Sequence, residues 1–274
     1  MTVVFYVSLL LSSSSKNERS SKIYEQSLIA SINQYEYLPA LLSTDTLLIN
    51  TLISQELSYV PASEKLEFIT QRSGADAIYI MNLDGDVVAT SNFRKEQSFL
   101  HRNYSFRPYF KKAISELSRQ FYYAKGATTG IPGFFISNPI SYQGHIIGVA
   151  VVKLTMERWE SGWQDSSEGI ITADENGVII LSSEDQWRYR SVGTLPDNTI
   201  AKINQQQQFS GAQHTSLYSD AFAIQVFQHF NVTFWRIDGK LYLTHRFSIP
   251  EIDWTLYSLV SHDKILFAAF IFFI

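Results

Sequence analysis

The sequence contains no cysteine. That excludes a disulfide framework, a zinc–thiolate site and a cysteine nucleophile. Positive charge is also sparse: 22 Lys and Arg stand against 26 Asp and Glu, a formal net charge of −4. No dense basic cluster forms, so no nucleic-acid surface is expected. The six histidines, His101, His145, His214, His229, His245 and His262, follow no metal-ligand spacing. No Gly-x-Ser-x-Gly elbow, His-Glu-x-x-His helix or phosphate-binding loop occurs. An enzyme is therefore not expected, nor a cofactor or metal. Apolar runs are short as well. Val3 to Leu11 and Ile265 to Ile274 are each apolar, but a spanning helix needs about 20 such residues. These ends are read as portions of two transmembrane helices, residues 1–12 and 263–274. The alternative is a soluble protein with a greasy terminal strand and tail. A large interior between two membrane segments is the layout of an extracytoplasmic sensor.

The chain has 274 residues, 45% of them hydrophobic. That is enough for one large domain or two ordinary ones. Ser12 to Lys16 reads as a polar linker. From about Asn17 to Leu38, Tyr24, Leu28, Ser31, Tyr35 and Leu38 fall near one helical stripe, with Ile32 beside it. Pro39 is expected to kink or end this helix. Ser43-Thr44-Asp45 signals a short helix through Leu57, and Pro61-Ala62-Ser63 starts another. Residues 13–72 are thus a long helical stalk with short helices; the long helix serves as a dimer stalk or packs on the domain.

Strand patterns follow. Ala77–Met81 and Val87–Thr90 flank the turn Leu83-Asp84-Gly85-Asp86. Gly169 to Ser183 repeats this design around Asp174-Glu175-Asn176-Gly177, which implies two similar modules in tandem. Module one, residues 73–160, continues with strands at Phe121–Ala124, Gly133–Ile140 and Ile146–Leu154. Module two, residues 161–262, continues at Ala223–His229, Thr233–Ile237, Lys240–Phe247 and Trp254–Val260. Gln205 to Gln208 reads as a helix end or loop. The expected class is α+β: a long N-terminal helix, then two modules built on antiparallel sheets.

Several stretches carry a family likeness. Asn103-Tyr104-Ser105-Phe106-Arg107-Pro108-Tyr109-Phe110, Gly126-Ala127-Thr128-Thr129-Gly130 and Gly148 to Lys153 lie in module one. Trp187-Arg188-Tyr189-Arg190-Ser191-Val192 and Ile252-Asp253-Trp254-Thr255-Leu256 lie in module two. Together they resemble the double Cache (tandem PAS-like) sensor region of C4-dicarboxylate sensor histidine kinases of the DctB type. The resemblance implies a periplasmic region of a bacterial inner-membrane protein. It implies a membrane-distal module that takes succinate, fumarate or malate, a membrane-proximal module, a homodimer, and a response regulator reached through a cytoplasmic kinase. Amino-acid-binding Cache relatives carry an aspartate late on the last strand for the ligand ammonium. Lys153 stands where that aspartate is expected, and a lysine pairs with a second carboxylate instead.

A four-carbon diacid is charged at both ends. Arg107 offers a planar fork for one carboxylate and Lys153 a point charge for the other. Tyr104, three residues before Arg107, would share its face on a helix. Thr128 and Thr129 add hydroxyl donors, and Tyr123 and Ser137 are further candidates. Each also has an ordinary structural reading: Arg107 in a surface ion pair, Lys153 snorkelling at a strand end, the tyrosines as core aromatics. The rival function is a Cache sensor or chemoreceptor ectodomain for an amino acid or monocarboxylate.

Overall fold

The fold was obtained as a computed structural model, which describes residues 3–54, 58–156, 163, 169–225 and 231–271. It divides into two compact units. One comprises Ala30–Met156 and Ile200–Ser210; the other comprises Met1–Ile29, Glu157–Thr199 and Gly211–Ile274. They are named below by their five-stranded and six-stranded sheets.

Helix α1 runs over Val3–Glu36. The polar linker expected at Ser12–Lys16 is instead helical. Serines weaken a helix only slightly, and neither Gly nor Pro interrupts the segment. Leu28, Ile32 and Tyr35 are buried along its expected stripe. Pro39 acts as anticipated: α1 stops at Glu36 and α2, Leu38–Leu42, starts with the proline in its first turn, where a missing N–H costs nothing. Asp45 caps α3, Thr46–Ile53, by accepting from the Leu47 and Leu48 amides. The remainder of that expected helix, at 55–57, lies outside the described residues. Helix α4, Val60–Ser73, ends on Gly74 in the left-handed region, where a Cβ would be strained. No helix among the described residues is long and apolar enough to cross a membrane.

In the five-stranded unit, β1 (Ala77–Met81) and β2 (Val87–Thr90) form the expected hairpin. Helix α5 (Pro108–Glu116) follows, then β3 (Gln120–Lys125), β4 (Pro132–Tyr142) and β5 (His145–Leu154). The sheet order is β2-β1-β5-β4-β3, antiparallel throughout. β5 is central and its last seven residues are buried, which explains its nearly continuous apolar run. One sheet face, with Tyr79, Val151 and Phe135, packs with Tyr109, Phe110 and Ala113 of α5. Helices α2 to α4 also contact this sheet.

The six-stranded unit contains β6 (Gly169–Ala173) and β7 (Ile179–Ser182); α6 (Asp197–Gln205) follows in the chain, and from Ile200 its residues group with the five-stranded unit. It continues with β8 (Asp220–Gln225), β9 (Asn231–Ile237), β10 (Lys240–Ile249), β11 (Trp254–Ser261) and α7 (His262–Ile271). The order is β7-β6-β11-β10-β9-β8. The end of the expected strand at Ala223–His229 falls on 226–230, outside the described residues. Trp187, Leu217, Trp235 and Leu259 centre its core. The sequence-based division put all of 161–262 in one module. Residues Ile200–Ser210 instead group with the five-stranded unit, because Gln208 bonds there: the Lys125 amide donates to its carbonyl, and its side-chain amide donates to the Tyr123 carbonyl.

The repeat extends to individual hydrogen bonds. Tyr104 N–H donates to Gly85 C=O as Val192 N–H donates to Gly177 C=O. Val87 N–H donates to Arg102 C=O as Ile179 N–H donates to Arg190 C=O. His101 and Tyr189, at matching places, both hold positive φ, 60° and 67°. In the first hairpin the Asn82 side-chain oxygen accepts from the Asp84 and Asp86 amides. In the second, the Asp174 carboxylate accepts from the Asn176 and Val178 amides.

The Asn82–Asp174 difference predicts a pH effect. Burial, aided by the Glu175 charge and opposed by the two backbone bonds, pushes the Asp174 carboxyl up from 3.8 to about 7. The folded state then holds a proton that the unfolded state releases. This contribution favours folding below about pH 4 and is lost as pH rises through about 7, on the order of 4 kcal/mol. Asp174→Asn, copying the first hairpin, should stabilise the six-stranded unit at pH 8. Denaturation of both proteins from pH 4 to 8 checks this; parallel stability curves would refute it.

Candidate ligand-binding site

The α5 face of the five-stranded sheet encloses a small cavity bordered by Tyr79, Phe99, Tyr104, Arg107, Thr128 and Lys153. Tyr109, Phe135 and the Gly126–Ala127 backbone complete its wall. The space between them is about 10 Å³, roughly the room for one water molecule.

Arg107 is brought here by the proline after it. Pro108 begins α5 and Arg107 stays extended as its N-cap. Its side chain is 2% exposed. Nη1 donates to the carbonyls of Gln206 and Gln207 at 3.2 and 3.1 Å, and Nη2 to that of Lys125 at 2.9 Å. A guanidinium has five N–H groups. Two therefore remain with no protein acceptor among the described residues. The guanidinium carbon lies 5.1 Å from the centre of the Phe106 ring. Three carbonyls fix the fork's plane while its full charge persists.

Lys153 is brought here by strand periodicity. Alternation along β5 puts it on the same face as Val149 and Val151, and pairing with β1 puts it opposite Ala77. It is 1% exposed. Gly133 makes room for its stem: a Cβ there would lie 2.8 Å from Lys153 Cε. Nζ donates to Asp76 Oδ2 at 2.6 Å. Asp76 directly precedes β1, and its amide donates to the Lys153 carbonyl.

Tyr104 reaches the cavity from a loop, not from a shared helix face with Arg107. Its hydroxyl is 2.6 Å from Thr128 Oγ1, which closes one side. Burial raises the Tyr104 phenol above its usual range, against the Thr128 bond and the charges of Arg102 and Arg107. Burial raises Tyr79 and Tyr109 too, and their hydroxyls bond at 2.7 Å. These phenols stay neutral, hence able to donate to an anion.

Three sequence candidates sit elsewhere. Thr129 accepts from the Ile131 amide at 3.3 Å within the Gly126–Gly130 turn, outside the cavity lining. Ser137 is on the correct sheet face but donates to the Tyr109 carbonyl at 2.8 Å, anchoring α5. Tyr123 falls on the opposite face from Tyr122, and its ring packs on Phe209. Sequence reasoning missed Asp76 and Tyr79, which the β1–β5 register brings to the site, and read Tyr109 of α5 as a core aromatic. It also missed Gln206 and Gln207. They act through backbone carbonyls some 100 residues from Arg107, and a backbone carbonyl leaves no side-chain signal.

The repeat shows which unit carries the two cations. Matching Tyr104 to Val192 puts Leu195-Pro196 at the place of Arg107-Pro108. Matching the hairpins puts Gly169 at the place of Ala77. Its β11 partner, Leu259, then stands where Lys153 stands. Both leucines are buried. The two cations thus belong to one copy of a shared design.

No family model matches the chain. The C4-dicarboxylate transport sensor protein DctB of Pseudomonas aeruginosa is 34% identical over 178 residues, covering 64% of this chain and 29% of that protein. The Rhizobium meliloti protein of the same name is 29% identical over 186 residues, covering 68% of this chain and 30% of its own length. The crystal structure of the V. cholerae histidine kinase DctB sensor domain superposes with a TM-score of 0.80 at 28% identity, covering 93% of this chain and 98% of that one. The chain is homologous to the DctB sensor proteins. It spans about 30% of the length of the curated DctB relatives, and its α+β architecture is that of the DctB sensor domain. The sensory domain of the Campylobacter jejuni chemoreceptor Tlp3, solved with isoleucine bound, shares the fold at TM-score 0.65 and 14% identity.

Arg107→Lys tests the guanidinium's structural part. An ammonium cannot span three separated carbonyls, and unsatisfied buried acceptors cost about 1–3 kcal/mol each. The expected result is a five-stranded unit less stable by about 2–3 kcal/mol, read as a lower unfolding midpoint. An unchanged midpoint would show that the carbonyl contacts contribute nothing.

Proposed function

We propose that this chain is the periplasmic sensing region of a two-component sensor histidine kinase and that it binds a C4-dicarboxylate, succinate, fumarate or malate. The observation that carries the reading is the convergence of two almost fully buried cations, Arg107 and Lys153, on one cavity. Burying a charge is costly unless something of opposite sign meets it. A diacid supplies a carboxylate for each. Arg107 takes one through its two remaining N–H groups, with Tyr104 or Thr128 donating as well. Lys153 takes the other. Charge-assisted hydrogen bonds contribute about 1.5–3 kcal/mol each, so a few support micromolar affinity, about 8 kcal/mol.

Binding needs more room than the cavity now offers, so its wall must shift. The Tyr104–Thr128 contact is the expected opening, since it is a hydrogen bond between a loop and a Gly-flanked turn. In this reading residues 1–12 and 263–274 continue into membrane helices. The region acts as a homodimer at the bacterial inner membrane, and the response regulator is reached through a cytoplasmic kinase. The names of the DctB relatives, transport sensor proteins and a histidine kinase, support the sensor-kinase part of that reading.

A second reading, an amino-acid sensor, draws on the Tlp3 fold likeness and on Asp76, a carboxylate beside the site. Lys153 opposes it, because its ammonium already lies 2.6 Å from Asp76 and repels a ligand ammonium. Isothermal calorimetry with succinate, fumarate, malate, alanine and acetate separates the two. The diacids should bind with one site per chain, and alanine and acetate far more weakly. Lys153→Met should weaken succinate roughly a hundredfold, the loss expected for one buried charged partner. Tighter binding of alanine than of any diacid would refute the dicarboxylate reading.

A further inference from the structure

The Lys153–Asp76 pair is asymmetric. Lys153 is 1% exposed, whereas the Asp76 side chain is 32% exposed. Lys153 cannot leave: its stem is wedged against Gly133 and its ammonium lies 6.0 Å from the Phe99 ring centre. Asp76 can, because it sits just before a strand with about a third of its side chain exposed. Among the described residues, it is the only acidic group paired with that ammonium.

We propose that Asp76 is a built-in competitor for the lysine end of the site and so sets the affinity for diacids. Its carboxylate occupies Lys153 in the manner of the ligand's distal carboxylate. A diacid must displace or share it, and the released Asp76 is resolvated at the rim. Each diacid bound therefore gives up part of an existing ion pair. A monocarboxylate seated on Arg107 leaves the pair intact and feels Asp76 little. The inference rests on the dicarboxylate reading of this cavity.

The experiment is succinate and acetate calorimetry on the wild-type region and on Asp76→Asn, with Lys153→Met and the double variant completing a cycle. Asp76→Asn should bind succinate about three- to tenfold more tightly, within the range of coupling between contacting residues. Acetate affinity should move less than twofold, and the gain should vanish in the Lys153→Met background. Leaving a buried ammonium unpaired lowers stability. The succinate-induced rise in melting temperature should consequently be larger in Asp76→Asn than in the wild type, a readout that survives poor folding of the free variant. Equal or weaker succinate binding by Asp76→Asn, with a Tm shift no larger than wild type, overturns the proposal and assigns Asp76 to positioning Lys153. Failure of the wild type itself to bind any diacid overturns the dicarboxylate reading and this inference with it.

Discussion

Two positive charges sit inside an apolar sheet–helix sandwich, and the surrounding structure answers that fact. An uncompensated ion in such a place would cost several kcal/mol. Arg107 is held by three main-chain carbonyls, which orient it without cancelling its charge. Lys153 is held by one carboxylate, which does offset its charge. The two ends of the cavity are therefore electrically different. The arginine end is rigid and still attractive to an anion, while the lysine end is occupied in part by the protein itself.

The duplicated architecture makes the point by contrast. Both units use a hairpin with a side-chain oxygen folded back on its turn and a left-handed residue after it, and in both cases a proline-started or proline-preceded helix comes next in the chain. Where the five-stranded unit places Arg107 and Lys153, the six-stranded unit places Leu195 and Leu259. Leucine at both positions gives a continuous apolar core with no charge to balance. The same backbone plan thus holds two buried cations in one copy and ordinary hydrophobic packing in the other. Function sits in the side chains grafted on the plan rather than in the plan.

Much of the fold could be read from local pattern. The Ala77–Met81 and Val87–Thr90 strands fall where alternation and the Asp-Gly turn put them. The Pro39 break and the Asp45 cap also follow from chemistry confined to a few residues. Patterning failed where a distant contact decided the outcome. Nothing local says that Gln206 and Gln207 bring their carbonyls to Arg107, or that a segment late in the chain belongs with the earlier sheet. Tyr123 and Ser137 are candidates on strands whose facing the local pattern does not give. Strand facing and a bond to the α5 backbone set their actual surroundings.

By itself, the sequence determined the class of the protein and the types of charge available. It has two similar strand-rich modules, no cysteine, and an arginine and a lysine in the stretches that carry the family likeness. Those follow from residue identity and from periods of two and 3.6, which are local properties. Only the tertiary structure decided that the two cations face one cavity, that both are buried, and that Asp76 already holds one of them. Burial and pairing depend on which strands are neighbours and in what register. Register is set by the summed packing of a whole sheet, a quantity that no single stretch of chain contains.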